Sequence, residues 1–98
     1  MIACDRKGHV EFRVFLPHAA DVRVIGDFTA WRTGALPMRR SYPGWWSVDA
    51  DVPAGQHEFC YLVDGHLWIA DYAAHGVHAD RAGHWLSRLR IAPEHAPA

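Results

Sequence analysis

Hydrophobic positions recur at every second residue along most of this chain, and the three-to-four spacing of a helix is nearly absent. In "HVEFRVFLP", Val10, Phe12, Val14 and Leu16 alternate with Glu11, Arg13 and Phe15. That is the pattern of a strand with one buried face, and Pro17 ends it. Beyond "HAAD", Val22 and Val24 predict a second strand that stops at Gly26. The stretch from Asp27 to Gly44 is rich in Gly, Pro and charge, and predicts a long excursion with one short strand near "LPMRR".

Alternation returns in "GWWSVDADVP", where Trp46, Val48, Ala50 and Val52 share one face and Trp45, Ser47, Asp49 and Asp51 the other. In "QHEFCYLVDGHLWIAD" two apolar runs flank Asp64-Gly65, a favoured type I′ hairpin turn. Phe59, Tyr61 and Val63 are expected to face inward, and Glu58, Cys60 and Leu62 outward. A loop, "YAAHGVHADRAG", leads to a last strand, "HWLSRLRI", with Trp85, Leu89 and Ile91 on one face and His84, Leu86, Arg88 and Arg90 on the other. Six or seven short strands with such frequent turn signals predict an all-β domain, a two-sheet antiparallel β-sandwich. One domain is expected over residues 1–92, with a frayed tail over 93–98.

Composition narrows the function. Half of the 98 residues are hydrophobic and 21 % are charged, as in an ordinary globular domain. The formal charge of −1 provides no field to attract nucleic acid or an anionic membrane. No apolar run is long enough to span a bilayer, and "MIACDRKGHV" has charges where a signal peptide has an apolar core, so the cytoplasm is the expected compartment. Cys4 and Cys60 are too far apart in sequence for a zinc-type pair and are expected as thiols.

Catalytic and metal chemistry find little support. Hydrolase, phosphate-loop and zinc-protease motifs are missing, so no catalytic residue is assigned. Asp49 and Asp51 project from the same strand face at about 6.5–7 Å, a spacing that two-carboxylate glycosidases use, but an outer sheet face gives neither acid the enclosure that would raise its pKa. His75, His78 and His84 lie near one another without a ligand set of fixed geometry, so no metal or other cofactor is expected.

The tryptophans are more informative. Alternation assigns Trp46 and Trp85 to the core, whereas Trp31 and Trp68 each follow a strand end or a turn. A flat indole can cover the C–H face of a pyranose while nearby polar groups bind its hydroxyls. Alternatively both rings pack beneath loops.

Two stretches carry a family resemblance. "FRVFLPHAADVRVIGDFTAW" resembles the opening of the isoamylase N-terminal early-set domains, the family 48 carbohydrate-binding modules, with their pattern F-R-V-W-x-P-x-A-x-x-V-x-V-x-G-D-F-N-x-W. "DVPAGQHEFCYLVDGHLWIAD" is similar to the glycogen-binding domain of the AMP-activated protein kinase β subunit, P-x-G-x-H-x-Y-K-F-x-V-D-G-x-W-x-x-D-P. The likeness runs from about Val10 to Ile91. It implies an immunoglobulin-like, early-set sandwich that binds α-1,4-glucan (glycogen, starch or maltooligosaccharide) without catalysis.

By position, Trp31 and Trp68 match the family's sugar-stacking tryptophans, with Trp68 displaced by a one-residue extension of the hairpin. Cys60 stands where glucan-binding relatives have a lysine. In "AGHWLS", aligned with L-G-T-V-N-N, Ala82, His84 and Leu86 occupy the positions of an apolar wedge, a threonine and a sugar-binding asparagine. Stacking on Trp31 and Trp68 with a rebuilt polar set from Arg39, His66 or His84 is one expectation. The other is a module that has lost its glucan site and docks a glycan-active enzyme or a second copy of itself through the same aromatics.

Overall fold

The computed structural model describes residues 2–4, 8–71 and 74–92. Ten strands follow in order: β1 (Ile2–Cys4), β2 (His9–Phe15), β3 (Val22–Gly26), β4 (Leu36–Pro37), β5 (Arg39–Tyr42), β6 (Trp45–Asp51), β7 (Gly55–Val63), β8 (Leu67–Ile69), β9 (Val77–Ala79) and β10 (Trp85–Ile91). The one helical element among the described residues is a single 3-10 turn, Asp27–Thr29. The tail expected over residues 93–98 lies outside the described residues.

The strands form two antiparallel sheets. One has the order β1-β2-β6-β5; the other runs β4-β3-β7-β10-β9, with β8 on the C-terminal half of β7. Pairing of Val10 with Ala50, Phe12 with Val48 and Val14 with Trp46 sets the inward face of the first sheet. Val24 beside Tyr61 and Val22 beside Val63 set that of the second. Between them Val10, Phe12, Val22, Val24, Trp46, Phe59, Tyr61, Leu89 and Ile91 make the main core. This is the two-sheet antiparallel sandwich that the alternation predicts, of the immunoglobulin-like, early-set kind that the resemblance implies.

Polar groups inside this core are satisfied. Tyr61 Oη donates to Asp71 Oδ2 at 2.7 Å, and the Asp71 amide donates to Ser87 Oγ. Burial, reinforced by the Asp71 charge, pushes the Tyr61 phenol far above its ordinary value. The indole N–H of Trp46 reaches the Leu16 carbonyl at 3.1 Å. Unpaired buried polar atoms are costly, and none is present among the described side chains.

Three expectations are corrected. The connection read as the loop "YAAHGVHADRAG" contains β9, which pairs with the start of β10 through Trp85 with Ala79, Leu86 with His78 and Ser87 with Val77. Trp85 is not in the core but 52 % exposed. It opens β10, outside the stretch from Ser87 to Ile91 over which that face is covered. The excursion near "LPMRR" holds two strands, β4 and β5, in different sheets. Buried Met38 marks the crossing, its N–H bonded to the Val22 carbonyl.

Candidate functional site

The sheet containing β7 is covered on both faces. Phe59, Tyr61 and Val63 point into the sandwich, while Cys60 and Leu62 alternate to the outer face, as their parity requires. There the structure departs from expectation: Cys60 is fully buried and Leu62 nearly so. With Ile25 and Leu86 they form a second apolar cluster, roofed by Trp31, Ala35 and Trp68. The uninterrupted run "FCYLV" is the signal for this, since a strand apolar on both faces is one buried on both faces.

Local chain geometry brings each indole to this roof. Strand β3 ends at Gly26, where a Cβ would lie 2.6 Å from the Glu58 carbonyl oxygen, and the chain turns through Asp27–Thr29. Thr29 Oγ1 accepts the Gly26 N–H at 2.9 Å, and the Trp31 N–H closes the turn on the Gly26 carbonyl at 2.9 Å. Ala30 and Trp31 both take left-handed backbone conformations, φ 56° and 55°, which reverses the chain. Phe28 points inward and stacks on Phe12. Trp31 is thereby laid back onto the cluster that contains the cross-strand pair Ile25 and Cys60.

Trp68 arrives from the hairpin. Asp64 and Gly65 have positive φ, 53° and 78°, as a type I′ turn requires, and Val63 pairs with Leu67 so that His66 is the extra residue. Leu62 is opposite Trp68, which places both on the outer face. Asp64 Oδ1 accepts the Ala20 and Asp21 amides, holding the hairpin to the β2–β3 connection. Those bonds lower the Asp64 pKa, the one from Asp21 most. Arg32 Nη2 donates to the Gly65 carbonyl at 2.6 Å, so the Trp31 loop and the Trp68 hairpin are tied directly.

The two indole planes are parallel to within 6°, with ring centroids 6.2 Å apart. The pair is parallel and stacked rather than edge-to-face. His84 extends the surface, its imidazole 4.5 Å from Trp68 and tilted by 31°. It is set by the turn before β10, where Asp80 Oδ1 accepts the amides of Ala82 and His84 at 2.9 Å. The His84 amide is the main cause of a lowered Asp80 pKa.

All five residues singled out in the sequence meet here, in two tiers. Trp31, Trp68 and His84 form the upper tier. Cys60 and Leu86, 0 % and 3 % exposed, lie beneath it and cannot touch a ligand resting on the rings. Burial, with a smaller contribution from Asp80, pushes the Cys60 thiol up to about 12. Arg39 is on β5 of the opposite sheet, away from the indoles. His66 is in the hairpin turn with Nδ1 on the Asp64 carbonyl. Asp49 and Asp51, on the outer face of the other sheet, flank His9, whose Nδ1 lies 3.1 Å from Asp51 Oδ1.

Fold and surface together define a β-sandwich module of the early-set class with a paired-indole roof on one sheet. The chain belongs to the family of carbohydrate-binding module 48, the isoamylase N-terminal domain, whose family model matches residues 2–84. It is 41 % identical over 56 residues to a 1,4-alpha-glucan branching enzyme of Pseudoalteromonas atlantica, a match covering 56 % of this chain and 8 % of that protein. With the SNF1 protein kinase subunit beta-3 of Saccharomyces cerevisiae it shares 32 % identity over 72 residues, 71 % of this chain and 16 % of that one. Among solved structures, a putative alpha amylase from Salmonella typhimurium superposes with a TM-score of 0.63 at 19 % identity, covering 84 % of this chain and 13 % of the amylase chain. That likeness bears on the fold. The chain thus matches only a small part of the length of each of these proteins.

Proposed function

We propose that this chain is a non-catalytic α-1,4-glucan-binding module and that glucose rings stack on Trp31 and Trp68, with His84 donating or accepting a hydrogen bond at the edge. The observation that carries the reading is the parallel indole pair at 6.2 Å. Parallel apolar faces suit consecutive sugar rings, and fixing both loops beforehand reduces the entropy lost on binding. Family membership and the relatives' names, a 1,4-alpha-glucan branching enzyme among them, support the choice of glucan. Cys60 and Leu86 act in this reading as the floor that holds the rings level, and polar recognition falls to His84 and the surrounding backbone.

A titration with glycogen or a cyclic maltooligosaccharide, followed by tryptophan fluorescence, tests it. The signal is expected to change with saturation, and Trp31→Ala or Trp68→Ala to abolish the change while a thermal melt confirms that each variant is folded. An unaltered spectrum at millimolar sugar refutes the proposal.

A docking role is favoured by a different place in the molecule. Phe15, Trp45 and Tyr42 form an aromatic patch on the outer face of the β1-β2-β6-β5 sheet, with Phe15 52 % and Tyr42 66 % exposed. A module of a longer glucan-active enzyme would pack through such a patch and leave the indole roof free.

A further inference from the structure

Next to the indole roof, on the same outer face, lies a polar cavity of about 410 Å³ bordered by β7, β9 and β10. It starts one cross-strand pair along from the floor of the roof. Arg88 is opposite Glu58 in the β7–β10 register, two residues beyond Leu86 on one strand and two before Cys60 on the other. Two residues of strand are about 6.5–7 Å, less than the length of a disaccharide.

The cavity walls are already organised. Arg88 Nε donates to His78 Nδ1 at 3.3 Å, which leaves the proton of that imidazole on Nε2, 3.3 Å from Glu58 Oε1. Asp27 holds His57 through Oδ1 at 2.9 Å and the Glu58 amide through Oδ2. These bonds use one oxygen of Glu58 and one nitrogen of Arg88. Glu58 Oε2, the two Arg88 Nη groups and the side chains of Gln56 and Arg90, which also line the cavity, have no partner among the described residues and remain for a ligand. Carboxylates and guanidiniums balance in number, so neither an anion nor a cation is favoured. Closely spaced donors and acceptors instead match vicinal hydroxyls.

We infer that the cavity is a second, polar subsite for the same α-glucan chain, which hydrogen-bonds the sugar residues that extend past the indole roof. The inference rests on the glucan reading of Trp31 and Trp68. It adds that affinity rises with chain length, because a short oligosaccharide fills the roof alone and a longer one also reaches Glu58 and Arg88.

Calorimetric titration of the chain with maltotriose and with maltoheptaose, repeated on Glu58→Gln and on Gln56→Ala, tests this. Gln56 is exposed, so its replacement leaves the fold intact. The chain is expected to bind maltoheptaose about tenfold more tightly than maltotriose, from one or two hydrogen bonds to charged groups. Both variants are expected to lose most of that gain while maltotriose affinity stays within about twofold. Equal affinity for the two sugars, or a gain that survives both substitutions, overturns the subsite and leaves the roof standing. Absence of binding by either sugar overturns the roof and the subsite together.

Discussion

The Arg32 guanidinium donates from Nη2 to the carbonyl oxygen of Gly65 at 2.6 Å, joining the loop that carries Trp31 to the hairpin that carries Trp68. The bond spans 33 positions of sequence and links the two segments that set the angle between the indoles. Arg32 is itself exposed, so its removal spares the core. Arg32→Ala is therefore expected to weaken glucan binding by about three- to tenfold, through lost preorganisation. Fluorescence titration alongside a thermal melt checks this, and a large fall in melting temperature would show that the contact is structural.

Cys60 and Cys4 should differ sharply as thiols. Cys4 is exposed, whereas Cys60 is buried beneath the indoles with its pKa pushed up to about 12. Thiolate, the reacting form, is negligible at such a site near neutral pH. Ellman's reagent is expected to titrate one thiol in the native chain and two in guanidinium chloride. Rapid reaction of both in the native chain would mean that the roof opens readily.

Gly34 is the tightest point of the Trp31 loop. A Cβ there would lie 1.9 Å from the Thr29 carbonyl oxygen, so the loop backbone must move to admit one. Gly34→Ala is expected to cost ~1–3 kcal/mol of stability, as overpacking does. Because Thr29 also positions Gly26 and Trp31, the same variant should lose its glucan response before it unfolds. Denaturant unfolding and the fluorescence titration together separate the two effects.

Two carboxylates give the site an acid limit. Asp64 accepts backbone amides that hold the hairpin, and Asp80 accepts those that place His84; both have pKa values lowered from 3.8. A carboxylate lowered on folding stabilises fully above its unfolded value, and that contribution is lost as pH falls through the folded one. Both groups stay ionised near neutrality, so glucan binding is expected to be insensitive to pH there and to decline once the pH drops below 3.8. Asp80→Asn should weaken binding at neutral pH and flatten part of the acid step, which a pH series of titrations reads directly.

Alternation along the chain was enough to assign the inward faces of β2, β6 and β7, because a sandwich imposes one period on all of them. It also puts Cys60 and Leu62 on the outer face of β7, and Leu86 on the face of β10 opposite Trp85. What alternation cannot supply is what lies above that face. The roof comes from residues 27–35 folding back, a consequence of Gly26, of two left-handed residues at Ala30 and Trp31, and of Gly34, none of which has a periodic signature. Strand β9 has no readable pattern, because three residues between polar neighbours carry too little, and the exposure of Trp85 is not legible, because parity gives the side of a sheet and not the extent of its cover. The family resemblance points to Trp31, Trp68 and His84 one by one; the cavity beside them depends on cross-strand register, which sequence does not provide.

The two-tier arrangement of indoles over Ile25, Cys60, Leu62 and Leu86 has an evolutionary consequence. Replacing either tryptophan uncovers part of a second apolar core, so the change is penalised in folding before recognition is considered. Selection for a chain that merely folds therefore preserves both indoles. Were a ligand on that surface to lose its importance, the polar fringe would change before the indoles did.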